Sequence, residues 1–224
     1  MTSNGIGEAA RDPRPVGMVG VRMTTGRYIA LEGAEGCGKS THAARLAQSI
    51  DAVLTRETGG TVVGARIREI LHDTTVTNLS HRAEALLAAA DRAQHIDEVV
   101  APALAGGRHV VSDRTVYSTL AYQGYGRGLD LSEVRGINQW AVDGHWPELV
   151  LLLDAAPEVL ERRMRGRQLD RFEQEDPGFH ERVRNGFHTM AAEEPTRWAV
   201  IDAGQDFEQV ASSIRRAVTE RLGL

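Results

Sequence analysis

The 224-residue chain is 42% hydrophobic, ample for one full core, and its 31 acidic against 26 basic residues leave a formal net charge of -5. That balance argues against nucleic acid or an acidic membrane as a bulk electrostatic partner, so any anion has to be bound locally. The single cysteine excludes an intrachain disulfide and gives no metal-ligand spacing, which fits a reducing, cytoplasmic setting.

Residues 1–26 carry Gly, Pro and charge but no continuous apolar block, so they read as a mobile tail rather than a secretory signal, with Met18 and Met23 as alternative starts. From Arg27 onward short apolar runs alternate with longer amphipathic stretches, the pattern of a parallel-sheet α/β protein, and 27–224 is read as one domain. The predicted strands are RYIALE (27–32), AVLT (52–55), HVVSD (109–113), LVLLLD (149–154) and WAVID (198–202). The longest central apolar run, LVLLL, is far too short to span a bilayer. Leu46, Ala47 and Ile50 mark the buried face of a helix after the first strand. Leu86, Ala90, Ala93, Ile96, Val99, Val100 and Ala103 mark another before the third, and Phe207, Val210, Ala211, Ile214 and Val218 one near the end. Residues 162–176, RRMRGRQLDRFEQED, are too charged for core and read as an exposed, movable segment.

Between the first strand and the first helix, residues 33–40 read GAEGCGKS, the G-x-x-x-x-G-K-[ST] pattern in the strand-to-helix context it requires. Gly33, Gly36 and Gly38 let backbone N–H groups curl around an anion, and the helix starting near Lys39 adds the positive end of its dipole. In such a P-loop Lys39 reaches the β- and γ-phosphates and the Ser40 hydroxyl ligates Mg²⁺. Ala34, Glu35 and Cys37 fill the variable positions, and Thr41 follows. Lys39 is the only lysine in the chain. Its slender ammonium fits beneath the phosphates, where a planar guanidinium does not. Without a second lysine there is no N-K-x-D guanine-reading motif and no separate strand lysine of the protein-kinase kind.

Four further stretches surround this loop: TRETGGT (55–61), DRAQH (91–95), SDRTVYSTLAYQGYGRGL (112–129) and RGRQLDRFEQ (165–174). Together with IALEGAEGCGKST they resemble the bacterial thymidylate kinases, from about Arg27 to the C-terminus. The resemblance implies a P-loop NTPase fold: three layers α/β/α, a five-stranded parallel sheet and a short arginine-rich lid over about 162–176. It also implies phosphorylation of dTMP to dTDP by ATP with Mg²⁺, and a homodimer. Residue by residue, it implies that Arg56 and Arg114 hold the monophosphate, with Asp113 orienting Arg114 and facing the Mg²⁺ shell. Arg92 then hydrogen-bonds a pyrimidine carbonyl, Thr119 and Gln123 meet the polar edge of the base, and Tyr122 packs near the deoxyribose. Glu35 matches an acidic position near the acceptor phosphate and metal. None of the variable P-loop residues is basic, so the transfer arginine is expected from the lid: Arg165, Arg167 or Arg171, with Arg165 and Arg167 favoured. Asp170 and Glu173 are expected to pair with these arginines when the lid is open.

Two departures from the family pattern stand out. Thr58 replaces the proline of R-E-P-G-G-T, and Ala88 replaces the phenylalanine that stacks on thymine four residues before Arg92. Losing a stack costs on the order of 1 kcal/mol. Either another ring, Tyr125 or Tyr117, compensates, or the acceptor is a bulkier or modified pyrimidine nucleotide. A non-catalytic ATP-binding switch is the remaining alternative, and the arginines at 56, 92 and 114 argue against it.

Overall fold

The computed structural model describes Met1 and residues 26–224, so the expected tail lies almost wholly outside the described residues. The chain runs through β1 (Tyr28–Glu32), α1 (Lys39–Ser49), β2 (Val53–Arg56), α2 (Val62–His72) and α3 (His81–His95), which continues through a π-helical turn, Ile96–Val100, into α4 (Ala101–Ala105). Next come β3 (Val110–Asp113), α5 (Val116–Thr119), a second π-helical turn over Leu120–Gly126, and α6 (Leu131–Val142). The chain closes with β4 (Leu149–Asp154), α7 (Pro157–Met164), α8 (Pro177–Glu193), β5 (Trp198–Asp202) and α9 (Phe207–Leu222). All five predicted strands are present, with ends within one residue of the expected bounds.

The strands form one parallel sheet in the order β2-β3-β1-β4-β5. Successive residues of the central strands supply opposite faces, which is why those strands are apolar without alternation. Ile29, Leu31, Leu149, Leu151 and Leu153 pack with Leu46 of α1 and Val210, Ile214 and Val218 of α9. Ala30, Val150 and Leu152 face the other way, onto Val116, Leu120, Phe179 and Phe187. The helices therefore cover both faces. Among the described residues no helix is long and apolar enough to cross a membrane.

One helix turns differently from its predicted face. Leu86 is 50% exposed and Ala90 is exposed, while the inward side of α3 carries Glu84, Ala85, Ala88, Asp91, Arg92 and His95. Apolar spacing misplaces this helix because its inner face looks onto a polar cavity rather than onto the sheet. Ile96 and Val100, farther along, are buried as expected.

Candidate active site

Parallel strands deliver their C-terminal ends to one edge, and the crevice beside a change in strand order is where α/β sheets bind ligands. Here β1, β2 and β3 end together: Leu31 pairs with Asp113, and Asp113 with Arg56. A cavity of ≈ 600 Å³ opens over these ends, within the range of small-molecule sites.

The GAEGCGKS loop forms its floor. Gly33 sits at φ 138 with its α-carbon face against Leu153 O, where a Cβ would come within 2.3 Å of that oxygen. Gly38 begins α1 at φ 90 and supplies no side-chain cap, so the first N–H groups of the helix stay available to an anion. Lys39 is buried, and its Nζ donates to Ala34 O at 2.8 Å, with Glu35 at 3.7 Å and Cys37 Sγ at 3.8 Å. Burial and Arg114 work against its charge, but Cys37 and Glu35 more than offset them and raise its pKa. Glu35 is bound by Arg114. Burial opposes its charge as well, yet Arg114 and Lys39 hold its carboxyl well below the usual carboxylate range. Ser40 Oγ donates to Asp113 Oδ2, while Asp113 Oδ1 is buried with no hydrogen-bond partner. Two hard oxygen ligands with one unspent lone-pair site suit Mg²⁺, which takes few protein ligands.

Arg114 occupies the left-handed region at φ 71, a conformation that costs a non-glycine residue about 1–3 kcal/mol. Its backbone N–H is held by Leu31 O at 2.9 Å. The side chain then reaches Glu35, Ser118 Oγ at 2.9 Å and Tyr122 Oη at 3.0 Å. Beneath it the buried Glu32 accepts from Thr115 N, Thr115 Oγ1 and Ser118 Oγ. Arg56 faces the same cavity, and so does Arg68 of α2, which no sequence motif marked. Arg68 donates to Thr58 O at 3.2 Å, across the Glu57–Thr58 cis peptide, and burial with the nearby Arg56 and Arg114 lowers its pKa. Three guanidinium groups thus line the same cavity as the GAEGCGKS loop.

Arg92 is buried and threefold bonded: Nε to Glu57 Oε2 at 2.8 Å, Nη1 to Asn138 Oδ1, and Nη2 to Thr119 Oγ1 at 3.0 Å. Glu57 also meets His95 Nδ1 at 2.9 Å; burial opposes its ionisation, but Arg92 and His95 lower its pKa. Thr119, Tyr122, Gln123 and Ala88 share the cavity with Arg92. Neither proposed substitute ring does. Tyr117 packs in the core between Trp146 and Trp198, and the partly buried Tyr125 packs over Gly186 against that core. Besides Tyr122 and His72, the cavity wall carries the ring of Phe172, set edge-on to Tyr122 with centroids 5.8 Å apart and to His72 at 5.4 Å.

In the 162–176 segment, Arg167 lines the cavity, as does Arg163, which the motif reading passed over. Arg163 reaches toward Gly36 O at 3.5 Å. Arg165 is exposed and does not line the cavity. Arg171 does not line it either and is engaged elsewhere, donating to Leu71 O at 2.9 Å and Glu84 Oε2 at 2.5 Å. Glu173 lies 3.9 Å from Arg167, whereas Asp170 pairs with His72 at 2.7 Å. Arg68 and Arg163 stood in the sequence as helix arginines. Only their place on the cavity wall distinguishes them from other helix arginines.

The thymidylate kinase family model matches residues 31–214. A thymidylate kinase of Synechococcus sp. (strain JA-3-3Ab) is 49% identical over 201 residues, covering 87% of this chain and 96% of that protein. One from Exiguobacterium sp. (strain ATCC BAA-1283 / AT1b) is 42% identical over 88% of this chain and 96% of its own. The crystal structure of thymidylate kinase from Ehrlichia chaffeensis superposes with a TM-score of 0.71 at 29% identity, covering 87% of this chain and 98% of that one. With motif, fold and relatives in agreement over most of its length, this chain belongs to the thymidylate kinase family.

Proposed function

We infer that the protein transfers the γ-phosphoryl group of ATP to dTMP. The observation that carries this reading is one cavity lined by two sets of cationic groups, the Lys39 loop and the arginines Arg56, Arg68 and Arg114. A switch that only binds ATP has no use for the second. The kinase names of the relatives support the same reaction.

The acceptor phosphate loses its second proton at a pKa of about 6, so near neutrality it already carries the attacking oxygen and no general base is required. The chain's work is to align and to neutralise. Lys39, buried and charged, serves the donor phosphates. Arg56, Arg68 and Arg114 fix the acceptor phosphate, and Glu35 holds Arg114 in place before substrate arrives. Ser40 and Asp113 would hold Mg²⁺, which would supply positive charge to offset that of the phosphates. Arg163 and Arg167 are the arginines placed to cover the transferred group, and the segment carrying them excludes water on closing. Arg92, Gln123 and Tyr122 receive the nucleoside. Phe172 supplies the aromatic face that Ala88 lacks. Cytoplasmic location and a homodimer belong to the same reading; Trp140 on α6, 88% exposed, offers apolar surface for the latter.

The test is purified protein with Mg·ATP and dTMP, dUMP or dCMP, measuring ADP and nucleoside diphosphate together. Equal amounts of ADP and dTDP, with dTMP the best acceptor, are expected. ADP release that no added monophosphate accelerates would refute the reading.

A further inference from the structure

Glu84 lies outside every motif, yet it is fully buried on the inner face of α3 and gathers three partners. Arg127 donates to it at 3.1 and 3.2 Å, Arg171 at 2.5 Å, and Gln123 Nε2 at 2.8 Å. Two arginines at contact keep the carboxylate ionised: burial opposes the charge, but the hydrogen bonds from Arg127 and Gln123 and the charge of Arg127 lower its pKa.

An ionised carboxylate only accepts hydrogen bonds. The side-chain amide of Gln123 must therefore turn its NH₂ toward Glu84, because the flipped amide would set oxygen against oxygen. Its Oε1 is left to the cavity, where no group among the described residues donates to it. Beside it, Arg92 has one N–H left on each Nη after bonding Asn138 and Thr119. The base pocket thus offers an acceptor next to donors. A thymine or uracil ring shows the complement, an N3–H beside a C4 carbonyl. Cytosine shows the reverse, a bare N3 beside an amino group.

Resting on the reading of the protein as a deoxypyrimidine monophosphate kinase, we propose that Glu84 is the positioning residue for base selection: by fixing the orientation of the Gln123 amide it makes the site select the imide edge of thymine and uracil over cytosine. Glu84 touches no substrate. It acts through Gln123, and the same carboxylate ties that orientation to the lid segment through Arg171.

The experiment measures kcat/KM for dTMP, dUMP and dCMP in the wild type, Glu84→Gln, Gln123→Leu and the double variant. Glutamine at position 84 can donate to the Gln123 oxygen and so permits the flip. The dTMP-to-dCMP preference should fall at least about tenfold in Glu84→Gln, because an unpaired or mismatched polar edge no longer counts against cytosine. The dTMP-to-dUMP ratio should stay within about twofold, since both rings share one edge. In the Gln123→Leu background, Glu84→Gln should leave the preference unchanged, as expected for residues acting as one unit. If Glu84→Gln does not fold, Glu84→Asp serves: it keeps a charge for Arg127 and Arg171 while drawing the carboxylate back from the amide, and the same loss of preference is expected. An equal fall for dTMP and dCMP, or additive effects in the double variant, would overturn the proposal and leave the kinase reading intact. A wild type that phosphorylates no pyrimidine nucleotide would remove both.

Discussion

Arg68→Ala separates a binding arginine from a structural one. In the free protein Arg68 makes a single hydrogen bond, to Thr58 O at 3.2 Å, and it sits in the positive field of Arg56 and Arg114, which with burial lowers its pKa. Its removal loses that one long hydrogen bond and the stem packing over Gly59, where a Cβ would meet Arg68 Cδ at 2.8 Å, and in return relieves like-charge repulsion. Stability should therefore change by less than about 1 kcal/mol. The bound acceptor phosphate, by contrast, loses a charge-assisted hydrogen bond worth roughly 1.5–3 kcal/mol. At 1.36 kcal/mol per decade that is about a 10- to 150-fold rise in KM for dTMP, with KM for ATP within about threefold of wild type. Steady-state kinetics at fixed Mg·ATP and a urea melt of the free protein provide both numbers. Unchanged KM for dTMP together with a loss of stability above about 2 kcal/mol would show that Arg68 braces α2 and binds no acceptor.

Glu57→Gln leaves Arg92 buried against a neutral amide and should cost about 3–5 kcal/mol in denaturant unfolding. Because the folded pKa of Glu57 is depressed, its contribution is fully present above the ordinary carboxylate value near ~4.3 and is lost as pH falls through the folded value. The gap between variant and wild type should close in acid; a gap that widens there would contradict the assignment. Ala88→Phe returns a ring to the cavity wall and should lower KM for dTMP by the worth of one aromatic contact, about 0.5–1.5 kcal/mol, while penalising bulky 5-substituted acceptors more than dTMP. No change in either would mean the base does not pass over position 88. Asp113→Asn removes the charge behind Ser40 and should raise the Mg²⁺ concentration for half-maximal rate by about 10- to 100-fold, read by titration at fixed ATP. An unaltered Mg²⁺ curve would place the metal elsewhere.

What was legible in the chain was what local chemistry dictates. Apolar runs flanked by turn residues located all five strands, and the glycines with Lys39 located the turn from β1 into α1, because both depend on residues adjacent in sequence. The face of α3 was not legible. Hydrophobic spacing assumes that buried means apolar, yet Glu84, Asp91, Arg92 and His95 are buried with partners on other elements: Gln123 for Glu84, Gly59 N for Asp91, Thr119 for Arg92 and Glu57 for His95. The lid arginines were ambiguous for a related reason. Arg165, Arg167 and Arg171 lie within seven positions, and the turn after α7 sends one to solvent, one to the cavity and one into the Glu84 cluster. Phe172 stood beside Arg171 in plain view, but its contact with Tyr122 joins two segments fifty residues apart, a pairing that only the fold supplies.

The most direct measurement is transfer itself: ADP and dTDP formed from Mg·ATP and dTMP by the wild type and by Lys39→Ala, with the variant shown to be folded. Loss of the one buried ammonium beneath the donor phosphates should lower kcat/KM by at least about 10³-fold, or roughly 4 kcal/mol of transition-state stabilisation. Transfer at the wild-type rate in the folded variant would contradict the account.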